Sequence, residues 1–164
     1  MNTRDQVSIT DLRGVDVFVR LSDDELEQIA KICRQRTCQA GERCAVLGEP
    51  TDDLGIVNEG KVVIELPISI PPYTQKLSVA TLRRGNVFTW PALVEPHPLP
   101  ASARFVEKTQ IIYIKASDLE RIFKERPSIE CVVMKNLAIV IGLRLEHSWV
   151  QLMRLAAEMI KQGK

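Results

Sequence analysis

Four cysteines and two histidines are the side chains of this 164-residue sequence best suited to metal or redox chemistry. Cys33, Cys38, Cys44 and Cys131 are enough in number for an iron–sulfur cluster. No two of them are separated by just two residues, the spacing that marks a metal-ligating pair. Cys33 falls on the face of a predicted helix and Cys44 within a predicted strand, so the four are read as buried or idle thiols; brown colour in freshly purified protein would overturn this. His97 and His147 stand alone, whereas an oxygenase-type metal site needs two or three histidines with a carboxylate. No Ser-His-Asp arrangement, glycine-rich phosphate loop or paired acidic motif is present either. The expectation is a protein that is not an enzyme and holds no metal or cofactor.

Charge and hydropathy narrow the partners. Twenty-two basic against 21 acidic residues leave a net charge of +1, without the clustered cationic excess that a nucleic-acid face needs. Met1 to Arg13 lacks the apolar run of a signal peptide. The longest apolar stretch, Cys131 to Leu145, is interrupted by Lys135, Asn136 and Arg144, too short and too charged to span a bilayer. No nucleic acid and no membrane are expected as partners, and the reading is cytoplasmic, where cysteines stay free. A hydrophobic content of 45% is enough for a real core.

The elements that would position any site follow from periodicity. Residues 1 to about 20 read as a loosely held lead-in. Ser22 and Glu25 form a capping box, and Leu26, Ile29, Ala30 and Cys33 recur at helical spacing in a helix ending near Gln35. From Thr37 to Ile114 short β-type runs alternate with turns at Gly41, Gly48, Gly60 and Gly85. The runs are Leu54 to Val57, Val62 to Leu66, Leu77 to Leu82, Ala101 to Val106 and Gln110 to Ile114; their even spacing predicts a sandwich or barrel. The proline-rich stretch Pro67 to Tyr73 reads as a protruding hairpin tip or loop. Ser117 and Glu120 offer a second capping box, and Pro127 opens a further helix, Ser128 to about Lys161, of about 30 residues and about 45 Å. Residues 1–127 are thus assigned to a β-barrel domain with an N-terminal helix, and 128–164 to its terminal helix.

Along that helix Ile141, Leu145, Ser148, Leu152, Leu155 and Met159 are spaced 4, 3, 4, 3 and 4, a heptad seam that reaches back to Ala138 and Met134. A second stripe, Val133, Leu137 and Val140, accompanies it in the first half only, where the helix can pack on the barrel as well. The seam predicts a parallel homodimer. Packing on its own barrel is the alternative.

The local text also resembles a known family. Phe18-Val19-Arg20-Leu21-Ser22-Asp23-Asp24-Glu25-Leu26 looks like the opening helix of cyclic-nucleotide-binding domains. Gly41-Glu42 and the run Gly48 to Val62 (Gly-Glu-Pro-Thr-Asp-Asp-Leu-Gly-Ile-Val-Asn-Glu-Gly-Lys-Val) resemble their barrel closely. The resemblance covers about residues 15 to 160. It implies a mainly β fold with flanking helices, a double-stranded β-helix (cupin-like jelly-roll) barrel, and a long C-terminal dimerisation helix. Members related to the catabolite activator protein continue from that helix into a helix-turn-helix. This sequence stops at Lys164, where the helix ends, so no DNA-reading module is expected.

The resemblance also implies a phosphate-binding cassette between Gly85 and Ala103. Phe88, Ala92, Leu93, Ala101 and Ser102 fit its pattern without a gap. Thr89 stands at its glycine position, and Trp90 at the glutamate position that usually binds the ribose hydroxyl. Leu99 replaces the arginine that pairs with the cyclic phosphate, and Pro100 replaces a residue whose amide donates to it. Loss of those two groups removes about 3–6 kcal/mol, or two to four decades of affinity. His97 and Arg104 are the nearest other basic groups, but Arg104 should point to the opposite face of its strand. Trp90 either fills the vacated pocket as core or stacks on a different ligand, with Leu99 and Val94 making the cleft apolar. Four prolines (Pro91, Pro96, Pro98 and Pro100) stiffen the segment. The expected function is a dimeric regulatory sensor with a degenerate cassette, a small-molecule ligand of unidentified chemistry and an unknown protein partner. The alternative is a genuine cyclic AMP or cyclic GMP receptor signalling through such a partner.

Overall fold

The computed structural model describes residues 7–95 and 98–162. Two short helical segments come first among the described residues, α1 (Ile9–Leu12) and a 3-10 turn (Asp16–Phe18). Val7, Leu12, Val15, Val17 and Phe18 are all buried, so from residue 7 on the lead-in is part of the core rather than loosely held. The capping box forms: the Ser22 hydroxyl accepts from Glu25 N, and the Glu25 carboxylate accepts from Ser22 N at 2.8 Å. The helix it starts, α2 (Asp23–Ala30), stops five residues before the expected end at Gln35. Cys33 therefore lies past the helix, donating to the Ile29 carbonyl at 3.2 Å, and Gln35 belongs to the first strand. Helical spacing of apolar residues alone could not see that change, because Cys33 still packs inward from a turn.

Among the described residues eight strands follow: β1 (Arg34–Cys38), β2 (Arg43–Ala45), β3 (Asp53–Glu59), β4 (Val62–Ile70), β5 (Tyr73–Leu82), β6 (Val87–Phe88), β7 (Ser102–Phe105) and β8 (Thr109–Lys115). They form two antiparallel four-stranded sheets, ordered β1-β8-β3-β6 and β2-β7-β4-β5. The stretch Pro67 to Tyr73 does hold the tip of a hairpin, but a shorter one than expected: β4 and β5 pair out to Ile70 and Tyr73, so Pro67 is strand and only Pro71 and Pro72 are left as the tip. Beyond Glu65, β4 has lost β7 as a neighbour, and a proline without its N–H is tolerated on such an edge.

The central strands β8 and β3 of the β1-β8-β3-β6 sheet are buried on both faces, which explains why they read as continuous apolar runs. Leu54 and Ile56 of β3, with Ile112 and Ile114 of β8, face a cluster made with the helices. Val57 and Ile111, one residue out of phase, face the barrel interior beside Phe88, Leu99 and Phe105.

Two helices complete the fold, α3 (Ala116–Glu125) and α4 (Pro127–Gln162). The second expected capping box does not form: the N-cap of α3 is Lys115, with no side-chain cap, and Ser117 lies inside the helix. At 36 residues, α4 is about 54 Å long. Val133, Leu137 and Val140 bury against the barrel side, as their stripe predicted. Asn136, which breaks the apolar run, is buried and donates to the carbonyls of Val17 and Val19 at 3.1 and 2.7 Å. Its polarity ties α4 to the lead-in.

One turn locks the lead-in to the cassette strand. Gly85 adopts φ +85°, accepts from Asp16 N at 2.9 Å, and lies so close to Gly14 that an added Cβ would meet the Gly14 carbonyl oxygen. A Gly85→Ala change combines left-handed backbone strain with a backbone clash, and is expected to lower unfolding free energy by about 3 kcal/mol. Urea denaturation measures it; a loss below about 1 kcal/mol would show that the turn relaxes freely.

Candidate ligand-binding site

A cleft of about 600 Å³ opens between the inner face of the β2-β7-β4-β5 sheet, the segment after β6, and α4. Its barrel wall is apolar, with Ile64, Ala80, Leu82 and Ala103 among the lining residues. Phe88 is buried and faces both the cleft and the barrel core. Its position depends on Gly55, its partner across β3 and β6, because a Cβ there would sit 2.5 Å from the ring.

Thr89 takes a left-handed conformation, φ 52° and ψ 28°, at the N-cap of a 3-10 turn, Trp90–Leu93. Its hydroxyl donates to the Asp53 carbonyl at 2.6 Å and accepts from Gly55 N at 2.9 Å. That hydroxyl anchors the turn to β3. Trp90 is half-buried, packs against the helical core cluster and lines the cleft, so it serves as wall and core together.

Of the residues expected at the site, Phe88, Thr89, Trp90, Leu99, Pro100 and Ala101 converge on the cleft. Ala92 is buried away from it, Leu93 packs on the helical cluster, and Ser102 turns its hydroxyl to accept from Leu47 N at 3.0 Å. Of the two residues expected to make the cleft apolar, Leu99 lines it, with Ala101 and Ala103, while Val94 packs on the helical cluster. Leu99 is only 6% exposed and belongs to the barrel's apolar cluster. Its backbone closes a small ladder, Leu99 N to Glu49 O and Gly48 N to Leu99 O, both 2.9 Å. Pro100 is exposed beside it.

Arg104 does not stand in for the missing arginine. Arg104 points outward, as its strand parity predicted, and is held by Glu65 at 2.7 and 3.0 Å. The guanidinium of Arg104 holds the Glu65 carboxyl below the usual carboxylate range. His97 lies outside the described residues.

The opposite wall of the cleft holds residues that motif reasoning missed. Arg144, His147, Ser148 and Gln151 of α4 line it, facing Asp16 and Asn86. A signal for them existed: Val133, Leu137, Val140, Arg144, His147 and Gln151 continue one stripe at spacings of 4, 3, 4, 3 and 4. The stripe that packs on the barrel turns polar where it crosses the cleft. Ser148, read as part of the outer seam, sits on the cleft rim and donates to the Arg144 carbonyl at 2.9 Å. Arg144 Nη2 donates to the Val87 carbonyl. Burial lowers the Arg144 pKa, and burial raises that of Asp16 despite hydrogen bonds from Asn86 and Val87 N.

All four cysteines are free. Burial pushes the thiols of Cys33 and Cys44 up to about 12, which leaves them unreactive at neutral pH. Among the described residues no three histidine, cysteine, aspartate or glutamate side chains gather as a metal site. No helix there is long and apolar enough to cross a membrane.

Residues 35–126 match the family model for the cyclic nucleotide-binding domain. A cyclic nucleotide-binding domain from Methylobacillus flagellatus superposes with a TM-score of 0.75 at 16% identity, over 89% of this chain and 80% of that one. The Thermus thermophilus catabolite activator protein superposes with a TM-score of 0.67 at 23% identity, over 86% of this chain and 63% of that one. In sequence, 137 residues are 29% identical to Glutaminase 1 of Bradyrhizobium diazoefficiens; the match spans 83% of this chain and only 21% of that protein.

Proposed function

The chain belongs to the cyclic nucleotide-binding domain family, and from that premise we propose that it is a dimeric sensor module whose cleft takes something other than cyclic AMP or cyclic GMP. One observation carries the reading. Where the family resemblance puts the phosphate-pairing arginine stands Leu99, buried in the barrel's apolar cluster, and among the described residues no charged side chain lines the cleft on that wall. Pro100 supplies no amide hydrogen there, and Trp90 supplies no carboxylate for a ribose hydroxyl. A cyclic phosphate at Leu99 would be desolvated without compensation.

The ligand state would be read out through a second copy and a protein partner. On the distal half of α4, Leu145, Leu152, Leu155 and Met159 are between 48% and 73% exposed in the single chain, an apolar surface that a partner helix would cover. That a related unit makes up about a fifth of a longer protein, Glutaminase 1, supports a role alongside other functional units.

Calorimetric titration with cyclic AMP and cyclic GMP tests the ligand claim. The expected result is no saturable binding at micromolar concentration. Saturation in that range would establish the second reading, a working receptor, for which Arg144 on the facing wall is the group that could substitute for the lost arginine.

A further inference from the structure

The cleft has lost its cation on the barrel wall and has one on the helix wall. Arg144 is the only lysine or arginine among the described lining residues. Its guanidinium carries five N–H donors, and among the described residues the one hydrogen bond it donates is from Nη2 to the Val87 carbonyl. None of the salt bridges among the described residues includes it. Asp16 acts on it only at longer range, with Oδ2 engaged by Asn86 and Val87 N, each at 3.4 Å. A half-buried cation without a contacting counter-ion is an unfavourable arrangement in an apolar setting. An anion brought by a ligand relieves it.

The rest of the wall says what such a ligand must be. Phe88, Trp90, Leu99 and Ile64 present aromatic and aliphatic surface, and Asp16 is the one carboxylate among the described lining residues. Asp16 sits near the cation, so a second negative charge would meet repulsion.

We propose that the cleft takes a small apolar monocarboxylate, its body against Trp90, Phe88 and Leu99 and its carboxylate on Arg144. The charge anchor thus moves from the barrel strand to α4, so that occupancy bears directly on the helix proposed to dimerise. This rests on the reading that the cassette no longer holds a cyclic nucleotide.

Calorimetry on the whole chain with two acids, 2-naphthoate and octanoate, and their neutral amides tests the proposal, with cyclic AMP alongside. At least one acid is expected to bind at least tenfold more tightly than its amide. Arg144→Gln should remove that difference while leaving amide binding unchanged, and Arg144→Lys should keep part of it. Asp16→Asn, which deletes the opposing charge, should tighten acid binding severalfold. Equal affinity of acid and amide overturns the proposal, as does an acid preference that survives Arg144→Gln, or silence from both acids at millimolar concentration. Should Arg144→Gln fail to fold, an Asp16→Asn variant with unchanged acid affinity overturns it as well. Saturable cyclic AMP binding would instead bring down the degenerate-cassette reading, a separate and distinguishable failure.

Discussion

Replacing Leu99 by Arg and Pro100 by Ala together is expected to raise affinity for cyclic AMP by about two to four decades. The arginine would supply charge-assisted, bidentate hydrogen bonds to the cyclic phosphate, and the alanine would restore one amide donor. Hydrogen bonds to charged groups contribute about 1.5–3 kcal/mol each, so the pair recovers about 3–6 kcal/mol. The same change should weaken the unliganded protein. Leu99 is buried among apolar side chains, and a cation placed there without a partner should reduce stability by about 2–4 kcal/mol. The variant should therefore show a low denaturation midpoint that cyclic AMP raises strongly, whereas the parent midpoint stays fixed. Calorimetry and urea melts with and without cyclic AMP measure both effects. A gain of less than tenfold would locate the deficit in Trp90, at the ribose position, and adding Trp90→Glu would then have to supply the rest. Equal binding by parent and variant would defeat the account of the cassette altogether.

How much of this could be read from residues alone depends on whether a signal was local. The glycine turns, the first capping box and the barrel stripe Val133, Leu137 and Val140 were legible, because each is fixed by its own few residues. Leu99 and Trp90, grouped by the cassette pattern, line one cleft. Three features were not legible. The capping box at Ser117 was a pattern without a helix start, since α3 begins one residue earlier, directly after β8. The lead-in looked polar because its buried residues, Val7, Leu12, Val15 and Val17, follow no single period; they are collected by tertiary packing under α4. Arg144 was seen only as a charge that forbids a membrane span. Its proximity to Asp16, 128 positions earlier in the chain, exists only once α4 has folded back over the barrel.

The proposed dimer makes the second large prediction. Leu145→Asp with Leu152→Asp is expected to convert a dimer to a monomer, weakening association at least about 1,000-fold. Full burial of a leucine contributes about 1.5–3 kcal/mol, and a two-fold axis doubles each loss. Leu145 and Leu152 are one heptad apart, so in a parallel pair each faces its own copy and the new aspartates meet like charge. Both residues are exposed in the single chain, 48% and 65%, so the barrel should stay folded and circular dichroism should retain its shape. The distal helix also supplies its own control. The line that carries His147 and Gln151 at the cleft stays polar beyond it, through Arg154, Glu158 and Lys161, while Val150 and Met153 form a second exposed apolar stripe nearly opposite the seam. Light scattering on Val150→Asp with Met153→Asp should still show a dimer. If that variant dissociates and the seam variant does not, the helices pair through the other face, and the seam of Leu145, Leu152, Leu155 and Met159 is left for a different partner.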